Sequence, residues 1–128
     1  IELGKNTFGW KSLKLNFGKK EVTMTVTETN GKSYELPFGY QQWITTTFNS
    51  YPPYSITPID RFKGLEGPYY ASGSYAWISK EELQLKAHYV NWVSALEITF
   101  HLEENGEVKL NVQTNYIKKP YTITGVIK

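Results

Sequence analysis

Apolar and polar residues alternate along most of the chain. Leu13, Leu15 and Phe17 share one side of a period-two pattern, and Val22, Met24 and Val26 alternate with Thr23, Thr25 and Thr27. Tyr34, Leu36 and Phe38 continue it. Further runs are Leu83, Leu85, Ala87 and Tyr89, then Leu96, Ile98, Phe100 and Leu102, then Val108, Leu110 and Val112, with Tyr121 and Ile123 in the tail. Period two is the signature of half-buried strands. No segment carries a 3.6-residue apolar stripe, so the only helical element expected is a minor turn near SKEEL (79–83).

Parity also predicts the turns. Val26 and Tyr34 must face the same side, as must Leu102 and Val108, so ETNGK (28–32) and EENGE (103–107) need loops of odd length. Three-residue loops follow, Thr29-Asn30-Gly31 and Glu104-Asn105-Gly106, each ending on a left-handed glycine. A two-residue Asn-Gly turn would slip the register and set Lys109 opposite Leu102. Ala87 and Leu96 should also share a face, which gives an even loop with Val90-Asn91-Trp92-Val93 as its tip and Trp92 exposed.

Seven to nine short strands joined by tight turns imply an antiparallel meander, which protects its edges by closing into a barrel or folding into a sandwich. Pro52, Pro53 and Pro58 exclude a central strand from FNSYPPYSITP (48–58). One core is expected over residues 1–128, and a chain of 128 residues suits one domain.

Composition narrows the chemistry. A net charge of +2, from 14 basic and 12 acidic residues, argues against nucleic acid as a partner. No run approaches the ~20 apolar residues of a membrane span. Cysteine is absent, which excludes disulfides and thiol chemistry. The chain opens on Ile1, as expected of a mature form or of a domain excised from a larger protein.

YYASGSYAWIS (69–79) places serines beside a glycine, the composition of a nucleophile turn. The alternation argues otherwise. Gly73, Tyr75 and Trp77 share a face with Ala87, Leu85 and Leu83, which turns Ser72 and Ser74 outward with no base beside them. Gly73 opposite Ala87 then marks a close approach between backbones. No Ser-x-x-Lys and no Gly-x-Ser-x-Gly occurs, so no catalytic residue is assigned. His88 and His101 fall on outward faces about 20 Å apart along the strands, too far to share a metal. Glu81/Glu82, Glu103/Glu104, Lys19/Lys20 and Lys118/Lys119 read as solvated turn residues, and no cofactor motif is present. Tyr40, Trp43, Tyr51, Tyr54 and Trp92 lie in or near loops, either tucked over a barrel end or forming a binding surface. Tyr51, Tyr54 and Trp92 are the candidate contacts for a partner or ligand.

Three segments carry a resemblance: LPFGYQQWITTTF (36–48), YYASGSYAWISKEELQLKAHYV (69–90) and EITFHLEENGEVKLNV (97–112). Together they resemble the C-terminal β-domain that follows the catalytic domain in bacterial serine hydrolases of the class C β-lactamase and penicillin-binding-protein type. The resemblance implies a small lipocalin-like barrel, an extracytoplasmic location, and a job of packing on the catalytic domain of the same polypeptide to influence its stability or substrate access. It also implies core-anchor roles for Trp43 and Trp77. That family's Ser-x-x-Lys and Lys-Thr-Gly are missing here, and Tyr89-Val90-Asn91 spells its Tyr-x-Asn only at a hairpin end. The competing expectation is a stand-alone module that holds a lipid-like or saccharide ligand at the barrel mouth or on its loop aromatics.

Overall fold

A computed structural model describes residues 1–48, 69–89, 94–114 and 120–128. They form ten strands: β1 (Glu2–Leu3), β2 (Trp10–Phe17), β3 (Glu21–Glu28), β4 (Ser33–Tyr40), β5 (Ile44–Phe48), β6 (Tyr69–Trp77), β7 (Glu82–Tyr89), β8 (Ser94–Leu102), β9 (Glu107–Thr114) and β10 (Tyr121–Val126). The sheet order is β4-β3-β2-β1-β10-β9-β8-β7-β6-β5, and β4 returns to pair with β6. Nine strands therefore close a barrel, and β5 is an extra strand on β6. The expected antiparallel meander closing into a small lipocalin-like barrel is what the chain forms, and the sandwich alternative falls.

Closure adds something alternation could not give: the seam is parallel. Gly39 and Tyr40 of β4 pair with Ser74 and Tyr75 of β6, whereas β5 runs antiparallel along Tyr69–Gly73. One edge of β6 is thus shared between two strands. The chain makes this possible by reversing sharply after β4. Gln41 adopts a left-handed φ of 52°, and its N–H donates to the Tyr75 carbonyl at 3.0 Å.

The registers follow the parity argument. Val26 faces Tyr34 and Leu102 faces Val108. The two three-residue loops are near copies. Gly31 and Gly106 have φ of 87° and 83°. Asn30 Oδ1 accepts from Lys32 N at 2.9 Å, and Asn105 Oδ1 accepts from Glu107 N at 3.0 Å. Ala87 faces Leu96, and Tyr89 faces Ser94, which leaves an even connection of residues 90–93. At SKEEL there is no helical turn. Ile78 N donates to Glu82 O at 2.9 Å, and β7 begins at Glu82, because Leu83 is taken into pairing opposite Trp77.

Side chains fill the barrel. Val22, Met24, Val26, Leu36, Phe38, Leu85, Ile98, Phe100, Val108, Leu110 and Val112 point inward and are buried. Trp10 joins them at 2% exposure, which simple alternation with Leu13 would not allow. A β-bulge explains it. Trp10 pairs with Glu28 but Ser12 pairs with Thr27, so one extra residue resets the parity between Trp10 and Leu13. Burial drives the Tyr34 pKa well above the ordinary tyrosine range, and the Trp10 side chain pulls in the opposite direction.

The turn before β2 carries the cap of this end. Asn6 Nδ2 donates to the carbonyls of Gly4 (2.9 Å) and Trp10 (2.8 Å), and its Oδ1 accepts from Phe8 N and Trp10 N, both at 3.1 Å. Phe8 then packs on Trp10 at 4.9 Å between centroids and edge-on against Tyr121 at 5.2 Å.

Candidate functional site

Among the described residues the opposite end of the barrel is open. Inward positions run out of neighbours there, and apolar side chains reach solvent: Phe17 is 52% exposed and Trp77 is 44% exposed, and the exposed Ile127 borders the same opening. Phe17 and Trp77 stack at 6.3 Å with 21° between planes, and Phe17 meets Tyr75 edge-on at 6.1 Å. Tyr40 extends the cluster, 5.4 Å from Tyr75. A pocket of about 350 Å³ opens into this mouth, with Leu15, Phe17, Trp77, Leu83, Leu102 and Ile127 among its walls. Its floor is the barrel core, at Leu13 and Phe100. Ile1 also borders it, because Glu2 pairs with Val126 at the same end. Lys128 on the rim is held by Glu2 at 2.7 Å, and that lysine is the main reason the Glu2 carboxyl sits below its usual pKa.

The core-anchor expectation fails at both tryptophans for a shared reason. Trp77 has inward parity, opposite Leu83, but it stands on the last residue of its strand, where it stacks on Phe17 and stays 44% exposed. Trp43 lies in the turn between β4 and β5 and is 51% exposed on the outer wall. Among the described tryptophans, Trp10 is the one buried in the core. Its sequence signal was available: an apolar residue three positions before Leu13 breaks period two, which is how a bulge looks in one dimension.

Gly73 stands opposite Ala87. A Cβ on it would strike the carbonyl oxygen of Pro37 and come within 2.9 Å of the Phe38 ring. β4 therefore lies against the inner side of β6 at this point. Ser72 and Ser74 point outward, and the Ser72 hydroxyl lies 2.7 Å from that of Thr45.

The histidines are separate. His88 pairs laterally with Ala95, whereas His101 sits between Glu82 (Nδ1 to Oε1, 3.3 Å) and Glu103 (Nε2 to Oε1, 3.8 Å), with Lys109 also on Glu103 at 3.2 Å. Among the described residues no group of three or more histidines and acids could hold a metal, and no helix is long and apolar enough to cross a membrane. Tyr51, Tyr54 and Trp92 lie outside the described residues, and among the described residues the apolar mouth is the site that the structure presents. Sequence reasoning missed Phe17 as an exposed residue because alternation reports the side a residue faces and not its depth along the barrel axis.

No protein-family model matches the chain, and no curated protein matches it either.

Proposed function

We propose that this chain is a non-catalytic accessory barrel that packs on the catalytic domain of a larger serine hydrolase of the β-lactamase-like type, using its open apolar end. The observation that carries the reading is the coincidence at that end. Phe17, Trp77 and Ile127 are exposed apolar residues lining a mouth whose floor is the core, and Ile1 borders the same mouth. A domain preceding Ile1 in the native polypeptide would be tethered beside the surface best suited to receive it. Large rings at the centre of such a patch supply much of the binding energy when water is excluded around them. The class of the partner, and a bacterial extracytoplasmic setting, come from the resemblance of the three segments given above.

Two measurements test this. The coding sequence upstream of Ile1 should encode a domain with Ser-x-x-Lys and Lys-Thr-Gly. That domain, expressed separately, should bind the barrel, and Phe17→Ala with Trp77→Ala should weaken binding by about 2 kcal/mol or more. An upstream sequence without those motifs, or binding indifferent to both substitutions, overturns the reading.

The pocket of about 350 Å³ favours a second reading, a module that takes a small apolar ligand at the mouth. An apolar dye or fatty acid that binds the isolated chain tightly, and is lost on Trp77→Ala, would move the assignment to that reading.

A further inference from the structure

The outer wall carries a second aromatic surface with a different chemistry. The Trp43 ring lies 5.0 Å from the His88 ring, at 56° between planes. Their backbones are not neighbours. Trp43 directly precedes Ile44, which faces Gly73 at the start of β5, and His88 lies across Ser72 on β7. Two strand spacings, roughly 10 Å, separate the backbones that carry the two rings. They meet above β6, where the outward residues Ser72 and Ser74 are small enough to let an indole lie over the strand.

The surroundings of this ring are polar. Thr45 and Ser72 bring hydroxyls 2.7 Å apart. Lys86 faces Ser74, Glu97 faces Lys86, and Gln84 Nε2 donates to Glu97 Oε1 at 2.9 Å. The turn that presents Trp43 is tightly constrained. Gln41 holds a left-handed φ of 52° although it is not glycine, and a Cβ on Gly39 would strike the Gln42 carbonyl. Backbone strain of this kind persists only where the surrounding structure over-determines it. A ring presented from such a turn loses little conformational freedom on binding.

We propose that the Trp43 wall is a glycan-binding platform for a β-1,4-linked, gluco-configured oligosaccharide. Such pyranose rings carry equatorial substituents, which leave a flat C–H face to stack on an exposed indole and a polar edge for donors and acceptors. The half-exposed Trp43 supplies the first. The Thr45 and Ser72 hydroxyls, His88, Lys86 and Glu97 supply the second. The mouth does not offer this pairing, since its exposed cluster is mainly apolar. The proposal stands apart from the docking reading, and either can fail alone.

The test uses the full chain, labelled with nitrogen-15 and titrated with cellotetraose and, separately, chitotetraose. The chain has 4 tryptophans, so their indole N–H signals report by position. One of the two sugars should shift the Trp43 signal saturably in the millimolar range while the Trp10 signal stays still. Trp43→Ala should weaken binding by about tenfold or more, as for loss of a central anchor, with Trp43→Tyr recovering part of it and Trp77→Ala leaving it intact. Because Trp43 is half exposed, the alanine variant should melt with the parent, and this is checked alongside. If neither sugar gives a saturable shift, or if sugar-induced shifts of the Ser72 and His88 backbone amides persist unchanged in Trp43→Ala, the platform is not a glycan site.

Discussion

The two ends of the barrel are built from the same kinds of residue and behave in opposite ways. At one end Phe8, Trp10 and Tyr34 pack into the core and Trp10 is almost fully buried, while Tyr121 meets Phe8 edge-on and stays 41% exposed. At the other end Phe17, Tyr75 and Trp77 also contact one another, yet Phe17 and Trp77 are about half in solvent. Aromatic content does not make the difference. An irregular segment does. Before β2 the chain folds over the barrel, Asn6 ties that fold to the backbone with four hydrogen bonds, and Phe8 is delivered as a lid. Among the described residues no comparable segment covers Phe17 and Trp77. A barrel has two ends to close. Among the described residues, this one closes the first with its own chain and leaves apolar surface at the second, which is why the second end draws the functional proposal.

The comparison breaks most simply at Trp10. Trp10→Ala removes a buried ring and the packing surface for Phe8. A loss of about 3–5 kcal/mol is expected in chemical denaturation, the usual cost of truncating a large buried aromatic. A loss below about 1 kcal/mol would mean that the capped end is no more closed than the open one.

Much of the architecture was legible in advance because a strand shows its parity in one dimension. The registers of β3 with β4, β7 with β8 and β8 with β9 follow from asking which apolar residues must share a face. The odd loops ending on Gly31 and Gly106 follow from the same question. Three things were hidden. The bulge at Trp10 reverses parity without any glycine or proline at the bulged residues themselves. The parallel β4–β6 seam depends on a left-handed Gln41, a conformation that glutamine rarely signals. Burial at a barrel end depends on what covers it, so Trp77 had the right face and the wrong depth. The mouth was invisible for the same reason. It is assembled from the ends of strands far apart in sequence, each of which looks like core when taken alone.

Gly73 sharpens the comparison between face and depth, because it lies away from both ends. Its inward side already holds the Pro37 carbonyl and the Phe38 ring. Gly73→Val would have to push β4 away from β6 beside the parallel seam, and backbone gives way less readily than a side-chain tip. A loss of about 1–3 kcal/mol is expected, in the range for overpacked cores. Gly73→Ala should already show much of it, since the first carbon makes the clash. A neutral Gly73→Val would show that β4 can slide along β6, and the small residues of YYASGSYAWIS would then need another explanation.

The smallest effect is expected at Trp77, and it tests the open end directly. The ring is half in solvent and rests on Phe17, a stacked pair of a kind worth about 0.5–1.5 kcal/mol. Trp77→Ala in the isolated chain should therefore cost about 1 kcal/mol, several-fold less than Trp10→Ala, although both are tryptophans with inward parity on a strand of the same barrel. The ratio is the informative quantity, since both variants share one denatured-state reference and one extrapolation. If Trp77→Ala destabilised the chain as much as Trp10→Ala, the open end would be part of the core. Docking at the mouth would then require dismantling stability and not covering exposed surface. If the loss stays near 1 kcal/mol while binding to the catalytic domain falls, the ring is held in the free barrel mainly for a partner, and the asymmetry between the two ends is the asymmetry between folding and recognition.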